Sequence, residues 1–252
     1  MHLKTEDLIR LELDYDSGVI PPPYSHMFKL KIGFGKNFLD TTLDLMYTDR
    51  EELTEEEILD EGFTLKDDFH FHGEIPKVWE KPLKSLYAKS KWSNNKSNET
   101  GGIRLLAKDN QGKISRTVPL NQEDWQLFAQ DYIQAIYESS KKERPLQIQY
   151  LIHENDKAID IKLEVKFLLR KVEITTQGQT KEGDWEATKE LLSYVFLPDY
   201  DYEKAREQKP KKPGQFIECG DGFWHEMGKG VINIDDSFDA VAKIKKGFQE
   251  LL

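Results

Sequence analysis

The chain has 252 residues, 33% of which are charged, and a formal net charge of −10. A chain of this length buries roughly 70 to 75% of its unfolded surface, so it needs neither disulfides nor metals to fold. The acidic balance argues against a protein that coats nucleic acid or an anionic membrane with its whole surface. Since no run approaches the roughly 18 apolar residues of a membrane span and no signal segment opens the chain, we expect a cytoplasmic protein without a membrane partner.

The N-terminal part of the chain predicts three strands and a short helix. Apolar and polar residues alternate in residues 7–15, 27–32 and 39–47, which is the period of half-buried strands. Thr54 and Glu57 have the spacing of a capping box and predict a helix start. We expect Gly62 to end that helix after about two turns. Because capping explains this acidic cluster, the cluster is poor evidence for a carboxylate active site.

The next part predicts a helix, a hairpin and a long helix. Residues 76–92 have apolar residues at helical spacing with lysines on the other face, and residues 103–118 read as two strands around a turn. Asn121 then caps the long helix. Its apolar stripe consists of Trp125, Phe128, Ala129, Tyr132 and Ile136.

Residues 145–177 contain the clearest strand pattern. Side chains alternate from Ile159 to Phe167, and the polar run at 154–157 predicts a turn after an earlier strand. Val172 and Ile174 resume the alternation after a break, which indicates a bulge or a second turn into another strand.

The C-terminal part mixes loops with short elements. Residues 178–183 predict a loop, Asp184 a helix start, and residues 199–215 a long surface loop or lid. We expect short strands at 216–219 and 231–234, and a last helix capped by Asp236 or Ser237. The residues expected to face inward on this last helix are Phe238, Val241, Ile244, Phe248 and Leu252.

The turns between strands are too short for parallel crossovers, so the sequence predicts an α+β protein. Its sheet or sheets should be mostly antiparallel and built from hairpins, with helices packed on one side. A hairpin-then-helix unit occurs about three times, at residues 7–61, 102–140 and 145–196. We expect either one α+β domain or two tightly packed subdomains, at about 1–92 and 102–252.

Charge is segregated along the chain. Residues 49–74 hold eleven acidic and two basic residues, whereas residues 77–116 hold ten basic and three acidic residues. Our first hypothesis is a non-catalytic cytosolic protein that presents this charge-segregated surface to a protein partner or to its own copy. The alternative is that the two segments pair with each other, within one molecule or between subunits.

A second hypothesis is a nucleic-acid or polyanion-binding module that uses the basic segment. Basic residues with interleaved aromatic rings are the composition of a surface that stacks bases and contacts phosphates. The candidate residues are Lys89, Lys91, Trp92, Arg104, Lys113 and Arg116.

The third hypothesis is a metal-assisted enzyme. In an extended strand His70, His72 and Glu74 point to the same face, and these residue types bind zinc, iron or manganese. His225 could supply a distant fourth ligand. The alternative is an ordinary amphipathic strand, and the sequence contains no motif from which we would predict a bound cofactor. Cys219, the single cysteine, is weak evidence for a nucleophile because no base is identifiable beside it.

Overall fold

The computed structural model describes residues 3–93, 101–154 and 157–252. The chain divides into two compact units, Met1–Glu143 and Arg144–Leu252. The boundary between the units lies just after the long predicted helix. From the sequence we expected a possible boundary between residues 92 and 102.

In its described residues, the first unit consists of one sheet and three α-helices. Its strands are β1 (Leu8–Asp16), β2 (His26–Phe34), β3 (Phe38–Tyr47), β4 (Phe69–Pro76), β5 (Trp92–Ser93), β6 (Gly102–Asp109) and β7 (Ile114–Pro119). Its helices are α1 (Glu55–Asp60), α2 (Glu80–Lys89) and α3 (Gln122–Ser139). The strand order is β4-β3-β2-β1-β6-β7-β5, and each neighbouring pair is antiparallel.

The core of the first unit lies between the inner face of this sheet and helices α2 and α3. Alternation places one apolar set of each strand inside, and Leu13 and Leu30 are cross-strand partners that are fully buried. The predicted stripe of α3 is buried as well. Trp79 packs its ring edge-on against Phe128 and Tyr132 and so joins the start of α2 to α3.

The second unit is also a sheet with helices. Its strands are β8 (Leu146–Glu154), β9 (Lys157–Lys166), β10 (Lys171–Thr176), β11 (Gln179–Gly183), β12 (Asp199–Tyr200), β13 (Gly214–Glu218), β14 (His225–Glu226) and β15 (Val231–Ile232). Its helices are α4 (Trp185–Val195) and α5 (Ala240–Glu250). The main sheet has the order β11-β10-β9-β8-β13-β14 with antiparallel neighbours, and β12 pairs with β15 separately.

The two units share the connectivity of their main elements, apart from α1 and β5 in the first unit and β12 and β15 in the second. Each begins with a four-stranded meander and a helix, then adds two strands beside the first strand of the meander, and ends with a helix. In the first unit these parts are β1 to β4, α2, β6 with β7, and α3. In the second they are β8 to β11, α4, β13 with β14, and α5. The repeated pattern therefore occurs twice and is larger than the hairpin-then-helix unit that we predicted three times.

The predicted α+β class is confirmed: the sheets are antiparallel and five α-helices accompany them in the described residues. The capping box of Thr54 and Glu57 is present in full, and Asp184 caps α4 by accepting a hydrogen bond from the Ala187 amide.

Two local predictions are wrong. The loop predicted at 178–183 is the edge strand β11, whose exposed polar residues carry no hydrophobic alternation that could reveal a strand. The last helix begins after Asp239, whose side chain accepts a hydrogen bond from Ala242. Ser237 is instead bound by Asp235 in a local turn, and Phe238 is exposed, as is Leu252 at the chain's end.

Candidate functional site

The outer face of the first sheet carries a row of ionisable side chains that crosses five strands. His70 on β4, Asp44 on β3, Lys29 on β2, Asp14 on β1 and Arg104 on β6 are successive cross-strand neighbours. Acids and bases alternate along the row. The His70 Nδ1 lies 2.6 Å from Asp44 Oδ1, and the Lys29 Nζ lies 3.6 Å from Asp14 Oδ1. Opposite charges on facing positions stabilise the pairing of the strands.

The next row contains a buried acid. Glu12 on β1 is only 5% exposed although it belongs to the outer face. Its carboxylate lies 2.9 Å from Arg10 Nη2 and 3.7 Å from Lys29 Nζ. A carboxylate at this depth requires such cations, because it has lost most of its water.

The two sides of this face carry charges of opposite sign. Glu74 on β4 lies opposite Asp40 on β3, and with Asp44 these residues form the acidic margin. Lys108 on β6 lies opposite Arg10, and Arg116 on β7 lies opposite Leu106. We call Arg104, Lys108 and Arg116 the basic margin. The face is therefore acidic along β3 and β4 and basic along β6 and β7.

The acidic and basic segments of the sequence also form ion pairs inside themselves. Arg50 lies 2.8 Å from Asp67 within the acidic segment. Glu80 lies 3.3 Å from Lys77 and 2.8 Å from Lys84 within the basic segment. These pairs reduce the net charge that each segment presents.

The structure brings together only part of the predicted nucleic-acid site. Arg104 and Arg116 are exposed side chains of the same face. Lys89 and Lys91 are exposed around the end of α2, and Lys113 is exposed in the turn between β6 and β7. Trp92 is half-buried, with its ring centroid 5.0 Å from that of Tyr87 and 6.4 Å from that of Trp125. The indole thus packs with rings of the core instead of standing beside the basic margin as a stacking platform.

The predicted metal ligands lie on one face of β4, as the strand period requires. His70 is engaged by Asp44, and His72 Nδ1 lies 3.1 Å from the Thr42 hydroxyl. Within residues 3–93, 101–154 and 157–252, no group of three His, Cys, Asp or Glu side chains could hold a metal ion. The metal hypothesis therefore gains no ligand set from the described residues.

Sequence reasoning missed a buried cluster in the second unit. His225 has no exposed surface, and the rings of Tyr200 and Tyr202 each meet its ring edge-on at 5.1 Å. Neither ring nitrogen has a hydrogen-bond partner among the described residues, although Asp221 Oδ2 lies 3.6 Å from Nε2. Cys219 belongs to the same cluster. No spacing in the sequence brings Tyr200 and His225 together, because they belong to different strands, β12 and β14.

Cys219 is poorly suited to nucleophilic catalysis. Its thiol donates a hydrogen bond to the Tyr200 hydroxyl at 3.4 Å, and that hydroxyl donates to the Val195 carbonyl at 2.7 Å. Burial, with a smaller contribution from the charges of Asp221 and Glu218, raises the pKa of the thiol to about 12. The thiolate that nucleophilic catalysis needs is therefore rare at neutral pH.

The long segment at 199–215 is fastened to the second sheet. Backbone hydrogen bonds run in both directions between Arg206 and Trp224, with N to O distances of 3.1 and 2.7 Å. Lys209 pairs with Asp160, and Lys212 pairs with Glu226. Leu151, Phe216 and Trp224 form a buried apolar cluster on this face of the sheet. We call residues 203–213 the strap.

No protein-family model, no curated protein and no solved structure matches this chain. None of the helices in the described ranges combines the length and the apolar character that a membrane crossing requires.

Proposed function

We propose that the protein is a non-catalytic cytoplasmic interaction module that associates with a second copy of itself through the outer face of the first sheet. The observation that supports this proposal is the separation of an acidic margin on β3 and β4 from a basic margin on β6 and β7. A rotation of 180° about an axis parallel to the strands places the acidic margin of one copy over the basic margin of the other. Such an interface is the self-complementary kind that two-fold symmetric dimers use.

The energies of exposed ion pairs indicate how strong this association should be. Exposed ion pairs contribute up to about 1 kcal/mol each, and salt screens them over about 10 Å at 0.1 M ionic strength. The charges in the middle of the face already have partners on neighbouring strands, so the two margins supply most of the complementarity. We therefore expect a weak dimer whose dissociation constant rises with salt concentration.

Sedimentation velocity at several protein concentrations, in low and in high salt, tests the proposal. The native protein should form dimers at low salt and become monomeric as salt is added. Arg104→Glu with Arg116→Glu makes both margins acidic, whereas Asp40→Lys with Glu74→Lys makes both margins basic. Each double variant alone should remain monomeric, and an equimolar mixture should form a heterodimer.

The control is Lys211→Glu with Lys246→Glu, at two exposed positions of the second unit. It changes the net charge by the same amount as Arg104→Glu with Arg116→Glu. This variant should dimerise like the native protein. A native protein that is monomeric at all concentrations, or variants that dimerise unchanged, would contradict the proposal.

The second candidate is the binding of a polyanion at the basic margin, which three cations on one face favour. The acidic margin on the same face opposes a long nucleic acid that would cross it. Fluorescence anisotropy with labelled single-stranded RNA and DNA at low salt separates the two candidates. Binding that the Arg104→Glu and Arg116→Glu pair abolishes, in a native protein that does not dimerise, would favour the second candidate.

A further inference from the structure

A cavity of about 280 Å³ lies within the first unit, between the sheet and helix α3. This volume is near the lower end of the range of about 300 to 1,000 Å³ that is typical of small-molecule pockets. Strands β1 to β3 form one wall and α3 forms the other. The lining residues are Tyr15, His26, Phe28, Leu45, Gln126, Gln130, Ile133, Gln134 and Tyr137.

The sheet wall is aromatic. The rings of Tyr15 and Phe28 stack with a centroid distance of 4.9 Å and an interplanar angle of 21°. The His26 ring lies 5.2 Å from that of Tyr15 and extends the aromatic surface. An aromatic wall favours a ligand that carries an aromatic ring, because ring pairs gain from offset-stacked or edge-to-face contact.

The helix wall is lined with amides. Gln126, Gln130 and Gln134 are spaced four residues apart and therefore lie along one edge of α3. Gln134 donates a hydrogen bond to Glu143. The side-chain amides of Gln126 and Gln130 make no hydrogen bond to any other described residue. Each of these two side chains can donate hydrogen bonds through its NH2 group and accept them through its carbonyl oxygen. They could therefore bind a ligand edge that carries both an acceptor and a donor.

The lining offers no counter-charge to an ion. None of its nine residues is Lys, Arg, Asp or Glu. Burial is the main cause that raises the pKa of Tyr15, and it raises the pKa of Tyr137 to about 12, so both phenols stay neutral at physiological pH. The Nδ1 of His26 lies 2.8 Å from the Tyr24 carbonyl oxygen, which fixes the orientation of this ring. An anionic ligand would lose hydration here, and no charged residue of the lining would offset that loss.

We propose that this cavity binds an uncharged aromatic heterocycle, whose ring packs against Tyr15 and Phe28 and whose edge exchanges hydrogen bonds with Gln126 and Gln130. The site is a small-molecule site and is independent of the charged outer face, which lies on the other side of the same sheet.

The test is ligand-observed saturation-transfer NMR of the full-length protein with four probes. Adenine and uracil are neutral rings with donors and acceptors on their edges, indole is a neutral ring with one donor, and benzoate is an anionic ring. Adenine or uracil should bind, indole should bind more weakly, and benzoate should bind at least tenfold more weakly than the better of the first two.

Two variants locate the site. Gln126→Ala with Gln130→Ala should weaken adenine or uracil binding about tenfold while changing indole binding less than threefold. Gln130→Trp places a bulky ring at an exposed rim position and should abolish the binding of every probe. Both changes are at positions that are not buried, and Gln249→Ala on the exposed side of α5 is the matched control.

Three results would overturn the proposal. The first is that neither adenine nor uracil binds at its solubility limit. The second is that indole or benzoate binds more tightly than both, which would indicate an apolar side chain or an anion as the natural occupant. The third is binding that survives Gln130→Trp in a protein whose circular dichroism matches that of the native chain.

Discussion

The hydroxyl groups of Thr41 on β3 and Tyr132 on α3 lie 2.7 Å apart, and both side chains are fully buried. The Thr41 hydroxyl is also 3.3 Å from the Leu39 carbonyl, to which it can donate. Tyr132 is then the donor to Thr41, and burial raises the pKa of the phenol, so the donor keeps its proton. This fully buried hydroxyl pair connects strand β3 to helix α3 inside an apolar core.

We predict that removing the Thr41 hydroxyl and removing the Tyr132 hydroxyl lower the free energy of unfolding by different amounts. Tyr132→Phe should lower the free energy of unfolding by about 1 kcal/mol, because Thr41 keeps its bond to Leu39. Thr41→Val should cost about 1 to 3 kcal/mol, because it leaves the tyrosine hydroxyl buried without an acceptor. In the Tyr132→Phe variant, Thr41→Val should lower the free energy of unfolding by less than it does in the native protein, because no tyrosine hydroxyl is then left without an acceptor. Urea denaturation of the four proteins measures this coupling, and additive costs would contradict it.

The turn between β10 and β11 should respond to substitution in opposite directions at its two residues. Gln177 and Gly178 both have positive φ, 52° and 80°, which is the geometry of a two-residue type I′ turn. Gln177→Asn should stabilise the protein by about 0.5 kcal/mol, because asparagine tolerates this conformation better. Gly178→Ala should destabilise it by about 1 kcal/mol through backbone strain alone, since no atom lies within 4 Å of the added Cβ. The midpoint of urea unfolding is the measurement, and equal midpoints for both variants would refute the turn assignment.

Attachment of the strap should depend on pH through Glu226. Hydrogen bonds from Lys212 and Lys229 lower the pKa of this carboxyl from its ordinary value of 4.5. Because the folded pKa is the lower one, the stabilisation is fully present above about pH 4.5 and is lost as the pH falls through the folded value. At pH 7, Glu226→Gln should accelerate amide hydrogen exchange in residues 203–213 about fivefold. At pH 3 the difference between the variant and the native protein should be smaller than at pH 7, because a larger share of the native Glu226 side chains is then protonated.

The exposed Glu207 in the same segment provides the control for this prediction. Glu207→Gln should leave strap exchange unchanged at both pH values. A Glu226→Gln protein that exchanges like the native protein at pH 7 would show that the ion pair does not hold the strap.

The Cys219 thiol should be unreactive in the folded protein. A rise of its pKa from 9.0 to about 12 reduces the thiolate fraction at pH 8 roughly a thousandfold. Alkylation by iodoacetamide, followed by mass spectrometry, should therefore be slower by at least a hundredfold in buffer than in concentrated urea. Similar rates in the two conditions would revive Cys219 as a candidate nucleophile.

Local structure in this protein was readable wherever neighbouring residues carry the signal. The capping box at Thr54, the cap at Asp184 and the alternation from Ile159 onwards each depend on residues a few positions apart. Sequence reasoning failed at β11, because the first four residues of this edge strand are exposed and need no hydrophobic period. It also misplaced the start of α5, where several acidic and hydroxyl residues compete as caps.

The sequence by itself determined the α+β class, the antiparallel pairing and most of the elements, because hydrophobic period, caps and turns are short-range properties. Only the tertiary structure decided which charges meet. Asp14, Lys29, Asp44, His70 and Arg104 form one row through the register of five strands, and register depends on pairing between segments that are distant in the chain. The amide-lined cavity and the buried surroundings of His225 arise in the same way, since their residues share a location and not a sequence pattern.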